Sequence, residues 1–387
     1  MTLPLKYNFR NVLVRWRSTL ATILGIALVV AVYVLLQAMA AGIEQSSANT
    51  GDARNLMIVR KGSTAESSSL ITREQMRSLL YAPEIARNAG GEPRLSADLL
   101  VLLNLPRRDG NGEANVLLRG TSARGRDLRE QVRLVAGRWF ASGRREVVVS
   151  ERLAARFASF DLGARFRSGP SEFTVVGHFD GAKSAFDSEI WMDADEARAI
   201  FDREAYSSLL VRPVDALAAT NLVNRLESDK RLQLLALPES EYYSQQTGTA
   251  TPIRWLGNFL AVAMSIGAVF AAMNTMYATV GARTREIGTL RVLGYRRRMV
   301  VTGFLIEGAI LAAIGGVIGG VLSLLMNGYA VGTLNFQTFS ETVFEFRITP
   351  ALLFRGVLFS ILVGLLGTLL PAIRASRLPV ISALKSL

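Results

Sequence analysis

Residues 18–42, 253–281, 300–331 and 351–373 are four apolar stretches. At 1.5 Å per residue, each is long enough to cross a hydrocarbon layer of about 30 Å as a helix. The first carries no charged side chain over 18–42. Its Ala38-Met39-Ala40 resembles a signal-peptide cleavage site, but the apolar run exceeds the roughly 7–15 residues of a signal core, so an uncleaved span is expected. The second contains the small residues Gly257, Ala261, Ala263, Gly267, Ala268, Ala271 and Ala272, which permit close helix packing. The third is longer than a bilayer requires, which predicts a tilt. It holds Glu307 and the run Gly315-Gly316-Val317-Ile318-Gly319-Gly320, read as a close-packing surface rather than a hinge. The fourth has Pro371 near its end. Half the chain is apolar with ordinary aromatic content, so the excess is aliphatic.

The formal net charge is +12. Its basic residues cluster beside the apolar stretches: Lys6, Arg10, Arg15 and Arg17 before the first, six arginines between the second and third, and Arg374, Arg377 and Lys385 after the last. With four spans, all these flanks fall on one side, as the positive-inside distribution requires. That places both termini in the cytoplasm of a multi-pass inner-membrane protein. It also accounts for the charge without nucleic acid, which is excluded as a partner. Residues 1–17 read as an amphipathic helix on the inner leaflet, with Leu5, Phe9, Val12, Leu13 and Trp16 on one face, against the alternative of a disordered basic tail.

Between the first and second spans, residues 43–252 are charged and rich in Gly and Ser. They are expected outside the cytoplasm as a large α+β domain in two subdomains. Strands are predicted at 55–60, 99–105, 116–119, 146–149, 173–176, 209–211 and 232–237. Helices are predicted after Thr72, from Ser150, from Asp193 and from Asp215. The acids Asp193, Asp195 and Glu196 read as a helix start. Residues 332–350 read as a short polar outer loop and 374–387 as a cytoplasmic tail. The fold class is therefore a membrane protein of four transmembrane α-helices, one plus three, with an α+β extracytoplasmic domain between the first and second.

Several chemistries are missing. The chain has no cysteine, which excludes cysteine-based thiol and zinc chemistry, and its single histidine, His178, cannot form a cluster, which removes most His-based metal and triad sites. No G-x-x-x-x-G-K-[ST], G-x-S-x-G or H-E-x-x-H pattern occurs. No catalytic, cofactor or metal residues are assigned, and the chain is not expected to be an enzyme. Glu307 has three open readings: a pair with an arginine of the preceding segment, a bundle-interior or subunit contact, or a proton carrier.

The basic segment 282–299 cannot cross a bilayer. It carries Arg283, Arg285, Arg291, Arg296, Arg297 and Arg298 against one acid, Glu286, interleaved with Ile287, Leu290, Val292, Leu293 and Met299. A short cytoplasmic helix fits this pattern. The stretch ARTREIGTLRVLGYRRRMVVTGFLIEGAILAAIGGVIGG resembles the signature of MacB/FtsX-type (type VII, mechanotransmission) ABC transporter permeases. LLPAIRASRLPVISAL resembles the family's closing run, and VAGRWFASGRREVVVSERLAARF with FTVVGHF resembles its periplasmic core. Val292 and Tyr295 depart from the pattern, standing where small alanines are common.

The resemblance implies a permease subunit without a fused ATPase domain, working as a dimer with a second copy or paralogue. ATP would be bound by a separate ATPase dimer that pushes a coupling helix. A periplasmic adaptor and membrane lipids are further implied partners. The cargo would be a lipid, lipoprotein, peptide or small hydrophobic molecule. The resemblance assigns ATPase coupling to Arg283, Arg285, Glu286, Ile287, Gly288, Leu290, Arg291, Leu293 and Gly294, with Ile287, Leu290 and Leu293 filling a groove on the ATPase. Gly288 and Gly294 would serve close approach or a helix end, and Glu307 would carry motion or a dimer contact. An FtsX-like regulator of a cell-wall hydrolase, with no cargo, is the alternative.

Overall fold

The computed structural model describes residues 16–110, 112–169, 171–246, 250–335 and 338–378. The amphipathic helix expected over 1–17 falls almost wholly outside them, as does most of the 374–387 tail. The helices are α1 (Trp16–Ala48), α2 (Arg73–Leu80), α3 (Ala123–Leu128), α4 (Glu151–Ala154), α5 (Ala194–Ile200), α6 (Ala216–Ser228), α7 (Glu239–Gln245), α8 (Ala250–Ala282), α9 (Thr284–Val292), α10 (Arg297–Leu324) and α11 (Pro350–Ser376). The strands are β1 (Leu56–Arg60), β2 (Leu95–Pro106), β3 (Glu113–Thr121), β4 (Arg133–Gly137), β5 (Glu146–Ser150), β6 (Arg165–Ser168), β7 (Ser171–Asp180), β8 (Glu189–Asp193), β9 (Ser208–Val211), β10 (Leu234–Pro238), β11 (Ala330–Leu334) and β12 (Glu341–Glu345). The chain divides into a helical unit, comprising the residues up to Ala40, Pro252–Tyr329 and the residues from Phe346, and a sheet unit of Ala41–Thr251 with Ala330–Glu345.

The helical unit is built from α1, α8, α10 and α11, which are long and apolar enough to cross a membrane. Small residues bring these helices together. A Cβ on Gly315 or Gly319 would come within 2.9 Å of the Ile23 carbonyl or 2.4 Å of the Ala27 carbonyl on α1. One on Gly316 would sit 2.2 Å from the Ser360 hydroxyl of α11, and one on Gly364 would sit 2.4 Å from the Ala312 methyl. The glycine run is thus a packing surface on two faces of an unbroken helix. Large apolar side chains point the other way in stripes: Trp255, Phe259, Val262, Ile266 and Phe270 on α8, and Phe354, Leu358, Leu362 and Leu366 on α11. Their spacing of three or four residues makes one lipid-ready face per helix.

In the sheet unit one mixed sheet runs β10-β1-β9-β2-β3-β8-β5-β7-β4, with β6 on β7. The sheet has two halves that meet in one strand. β2 pairs with β9 through Leu95–Asp98 and with β3 through Leu99–Pro106, so one long strand joins both halves. Alternation along the strands then divides the core by face. Ile58, Leu209 and Val211 enter one cluster and Val147, Val149, Ile190 and Met192 another on the same side. Met57, Val148, Trp191 and Leu210, at the intervening positions, form a third cluster spanning both halves on the opposite face.

The capped helix starts fall where the sequence placed them. Thr72 accepts from the Gln75 amide, Ser150 from Leu153, Asp193 from Glu196 and Asp215 from Ala218. β8 escaped the sequence reading because all five of its residues are buried, which erases alternation. The expected polar loop over 332–350 is instead the antiparallel hairpin β11-β12 followed by the start of α11 at Pro350.

Candidate coupling site

α8 and α9 are almost one helix. The break falls at Arg283, whose φ of −108° and ψ of 12° leave helical geometry. The bend turns the Arg283 side chain into the bundle. There Nη1 donates to the Glu307 carboxylate on α10 at 2.8 Å, with both residues buried. This is the first of the three readings of Glu307. A carboxylate in an apolar helix is costly unless paired and hydrogen-bonded, and Arg283 supplies that. The pair borders a small cavity of mixed lining, with Thr19, Thr22, Thr275, Thr279 and Thr368 beside apolar Ile26, Met276 and Leu311. Thr22 and Thr275 bridge α1 to α8 through their hydroxyls at 2.9 Å.

The bend fixes the orientation of α9. Ile287, one turn after Arg283, is only 3% exposed and packs with Met276, Val280, Val300, Phe304, Ala372 and Ala375. Gly288 is buried beside it. These two residues therefore belong to the bundle, and the expectation that Ile287 fills a groove on a partner is corrected. Helical periodicity from the anchored Arg283 carries position 287 inward. Leu290 and Arg291 are half-buried, and Arg291 Nη1 reaches the Tyr295 carbonyl at 3.5 Å.

Arg285, Glu286 and Thr289 lie outward, and the helix ends on Val292 and Leu293, 61% and 70% exposed. Gly294 terminates it. Its φ is +90°, and the amides of Gly294 and Tyr295 bond back to the carbonyls of Arg291 and Leu290 at 3.2 and 3.1 Å. That is a Schellman end, which needs a residue without a Cβ penalty in the left-handed region. Arg296, Arg297 and Arg298 follow, all exposed. The arrangement is a short helix with one face locked into the bundle and an apolar, basic-flanked end left open.

The sequence reading missed a second buried polar group, in the sheet unit. Arg119, fully buried in β3, donates to Glu66 and Glu189 at 2.8 Å and to Asp98 at 3.3 Å. Arg129 meets Asp98 at 2.7 Å, and the Tyr243 hydroxyl donates to Glu66 at 2.7 Å. Burial would raise the Asp98 carboxyl, but Arg129 and Arg119 outweigh it and hold it below the ordinary range. Burial pushes the Glu239 carboxyl up. No neighbouring sequence marks Arg119, in VLLRGT, as a buried hub. Among the described residues, no group of three His, Cys, Asp or Glu side chains is arranged to hold a metal.

Two protein families match successive stretches of the chain. The MacB-like periplasmic core domain matches residues 18–229, more than half of the chain, and the FtsX-like permease C-terminal domain matches residues 258–380. The chain belongs to the MacB/FtsX-type permease family. The macrolide export ATP-binding/permease protein MacB of Hahella chejuensis is 27% identical over 333 residues, covering 82% of this chain and 45% of that protein. The uncharacterized ABC transporter permease YvrN of Bacillus subtilis is 34% identical over 113 residues, covering 29% of this chain and 26% of the relative. The chain thus spans less than half the length of these relatives. The crystal structure of the periplasmic region of MacB from Actinobacillus actinomycetemcomitans aligns over 51% of this chain and 93% of that one, at TM-score 0.38 and 16% identity. With its four apolar helices, this MacB/FtsX-type chain is a multi-pass membrane protein.

Proposed function

We propose that this chain is the permease subunit of an ABC transporter, and that α9 receives the stroke of a cytoplasmic ATPase. The observation that carries this reading is the two-sided character of α9. Arg283 and Ile287 tie it into the helices on either side, while Val292 and Leu293 present an open apolar end ringed by arginines. Displacing such a helix must displace α8 and α10 with it. The macrolide exporter named above is described as both ATP-binding and permease, which supports an ATPase as the partner.

In this reading the membrane is the bacterial inner membrane, with α9 and both termini cytoplasmic and the sheet unit periplasmic. A second permease copy completes the complex, and a periplasmic adaptor can join it. The motion exports or extracts a lipid, lipoprotein, peptide or small hydrophobic molecule on the periplasmic side without passing it through the helices. The test is co-purification of the full chain with a candidate ATP-binding subunit from the same genome. Val292→Asp with Leu293→Asp should abolish the complex while leaving the thermal unfolding midpoint unchanged. Retention of the complex at wild-type yield would remove the coupling assignment.

A further inference from the structure

The sheet unit continues into the helical unit at four places: after Ala40, before Pro252, and at either end of Ala330–Glu345. The last two belong to the β11-β12 hairpin, which joins α10 to α11. Within the sheet unit this hairpin is fastened by charge at both ends of β12. Glu341, 3% exposed, receives Arg107 at 2.5 Å on one carboxylate oxygen and Arg156 on the other. Glu345 receives Arg152 at 2.6 Å and Lys183 at 2.9 Å. Between them Val343 and Phe344 are buried, and the Val343 amide donates to Ser188 Oγ at 2.7 Å.

The fit leaves no slack. A Cβ on Gly332 would come within 2.0 Å of Glu341 Oε1 and 2.5 Å of Arg156 Nη2, and one on Gly42 within 2.0 Å of the Glu345 carbonyl. At the other end the legs of the hairpin are zipped inside the helical unit. The Gly328 amide donates to the Phe346 carbonyl at 2.9 Å, the Phe346 amide to Tyr329 at 3.2 Å, and the Ile348 amide to Asn327 Oδ1 at 2.9 Å. A connection between two neighbouring helices needs only a few residues. This one is longer, and its acids are spent on four basic residues of the sheet unit.

We propose that the β11-β12 hairpin is a strap that transmits displacement of α10 and α11 to the sheet unit, with Glu341 and Glu345 as its positioning residues. Burying the Glu341 carboxylate between two guanidinium groups makes release costly, so the strap stays attached while the helices move. The legs are short and hydrogen-bonded, so they pull rather than stretch. The proposal rests on the reading of the chain as an ATP-driven permease and adds the route by which the stroke leaves the membrane.

The chain has no cysteine, so two introduced thiols can carry spin labels alone. The full chain with its ATPase, in lipid nanodiscs, is labelled at Tyr81→Cys in the sheet unit and Leu325→Cys after α10, both exposed. The distance is read with and without ATP and vanadate. The expected result is a shift in the otherwise wild-type complex that is lost in Glu341→Gln/Glu345→Gln, with the ATPase still bound, and restored towards wild type by Glu341→Asp/Glu345→Asp. A second variant guards against misfolding: Gly-Gly-Ser inserted after Tyr329 and again before Phe346 keeps every strap contact but slackens both legs, and it too should lose the shift. A full shift in the slackened variant overturns the strap. No shift even with the strap intact overturns the ATP-driven reading itself.

Discussion

Removing either member of the Arg283–Glu307 pair leaves the other charge buried among threonines and apolar side chains. Breaking a buried pair costs about 3–5 kcal/mol, whereas replacing both members with apolar residues of similar size can be near neutral. Glu307→Leu and Arg283→Met should each lower the unfolding midpoint of the detergent-solubilised chain, and the double variant should recover most of that loss. Additive losses would mean that the two residues do not stabilise one another. Asp187 gives a test in the sheet unit. Burial pushes its carboxyl up to about 6, although Arg152 at 3.2 Å and the Gly181 amide at 2.8 Å pull it down. The folded state therefore holds a proton that the unfolded chain, at 3.8, releases. The resulting stability is full below about pH 3.8 and lost as pH rises through about 6, on the order of 2–3 kcal/mol. Between pH 5 and 7.5 the wild type should lose stability relative to Asp187→Asn; parallel pH curves would contradict this. The Arg283–Glu307 contact was partly legible in the sequence, because Glu307 is the one acid in its stretch and arginines precede it. The inward turn of Ile287 was not, because it depends on the bend at Arg283, which no residue type announces.

At the scale of elements, packing between α1, α10 and α11 rests on Gly315, Gly316 and Gly319. Gly319→Val would place branched carbons against the Ala27 carbonyl. The expected cost is about 1–3 kcal/mol, read as a lower unfolding midpoint, while Gly281→Val, whose Cβ position meets no packed neighbour within 4 Å beyond the adjoining helix backbone, should be nearly silent. Equal effects at both sites would remove the packing account. The glycine run was readable as a packing surface because small residues at helical spacing have few other uses in an apolar helix. The β11-β12 hairpin was not readable. Glu341 and Glu345 gave the segment the polarity of a loop, and only the fold brings Arg107, Arg152, Arg156 and Lys183 to meet them. β2 was found as a strand, but its exchange of partners half-way along, which makes one sheet of two halves, depends on β9 and β3 and has no local signal.

At the scale of the whole molecule, the one-plus-three arrangement was legible from apolar length and from the clustering of arginines at one set of helix ends, because both follow from the bilayer rather than from tertiary detail. In the proposed mechanism the open end of α9, and not its buried face, meets the ATPase. A single thiol tests it, since the chain supplies none of its own. Val292→Cys, Leu293→Cys and Ile287→Cys are each carried into the complex and treated with a short thiol-to-amine crosslinker. Adducts with the ATPase are expected from positions 292 and 293 and none from 287. An adduct from 287 equal to theirs, or none from 292 and 293, would contradict the account.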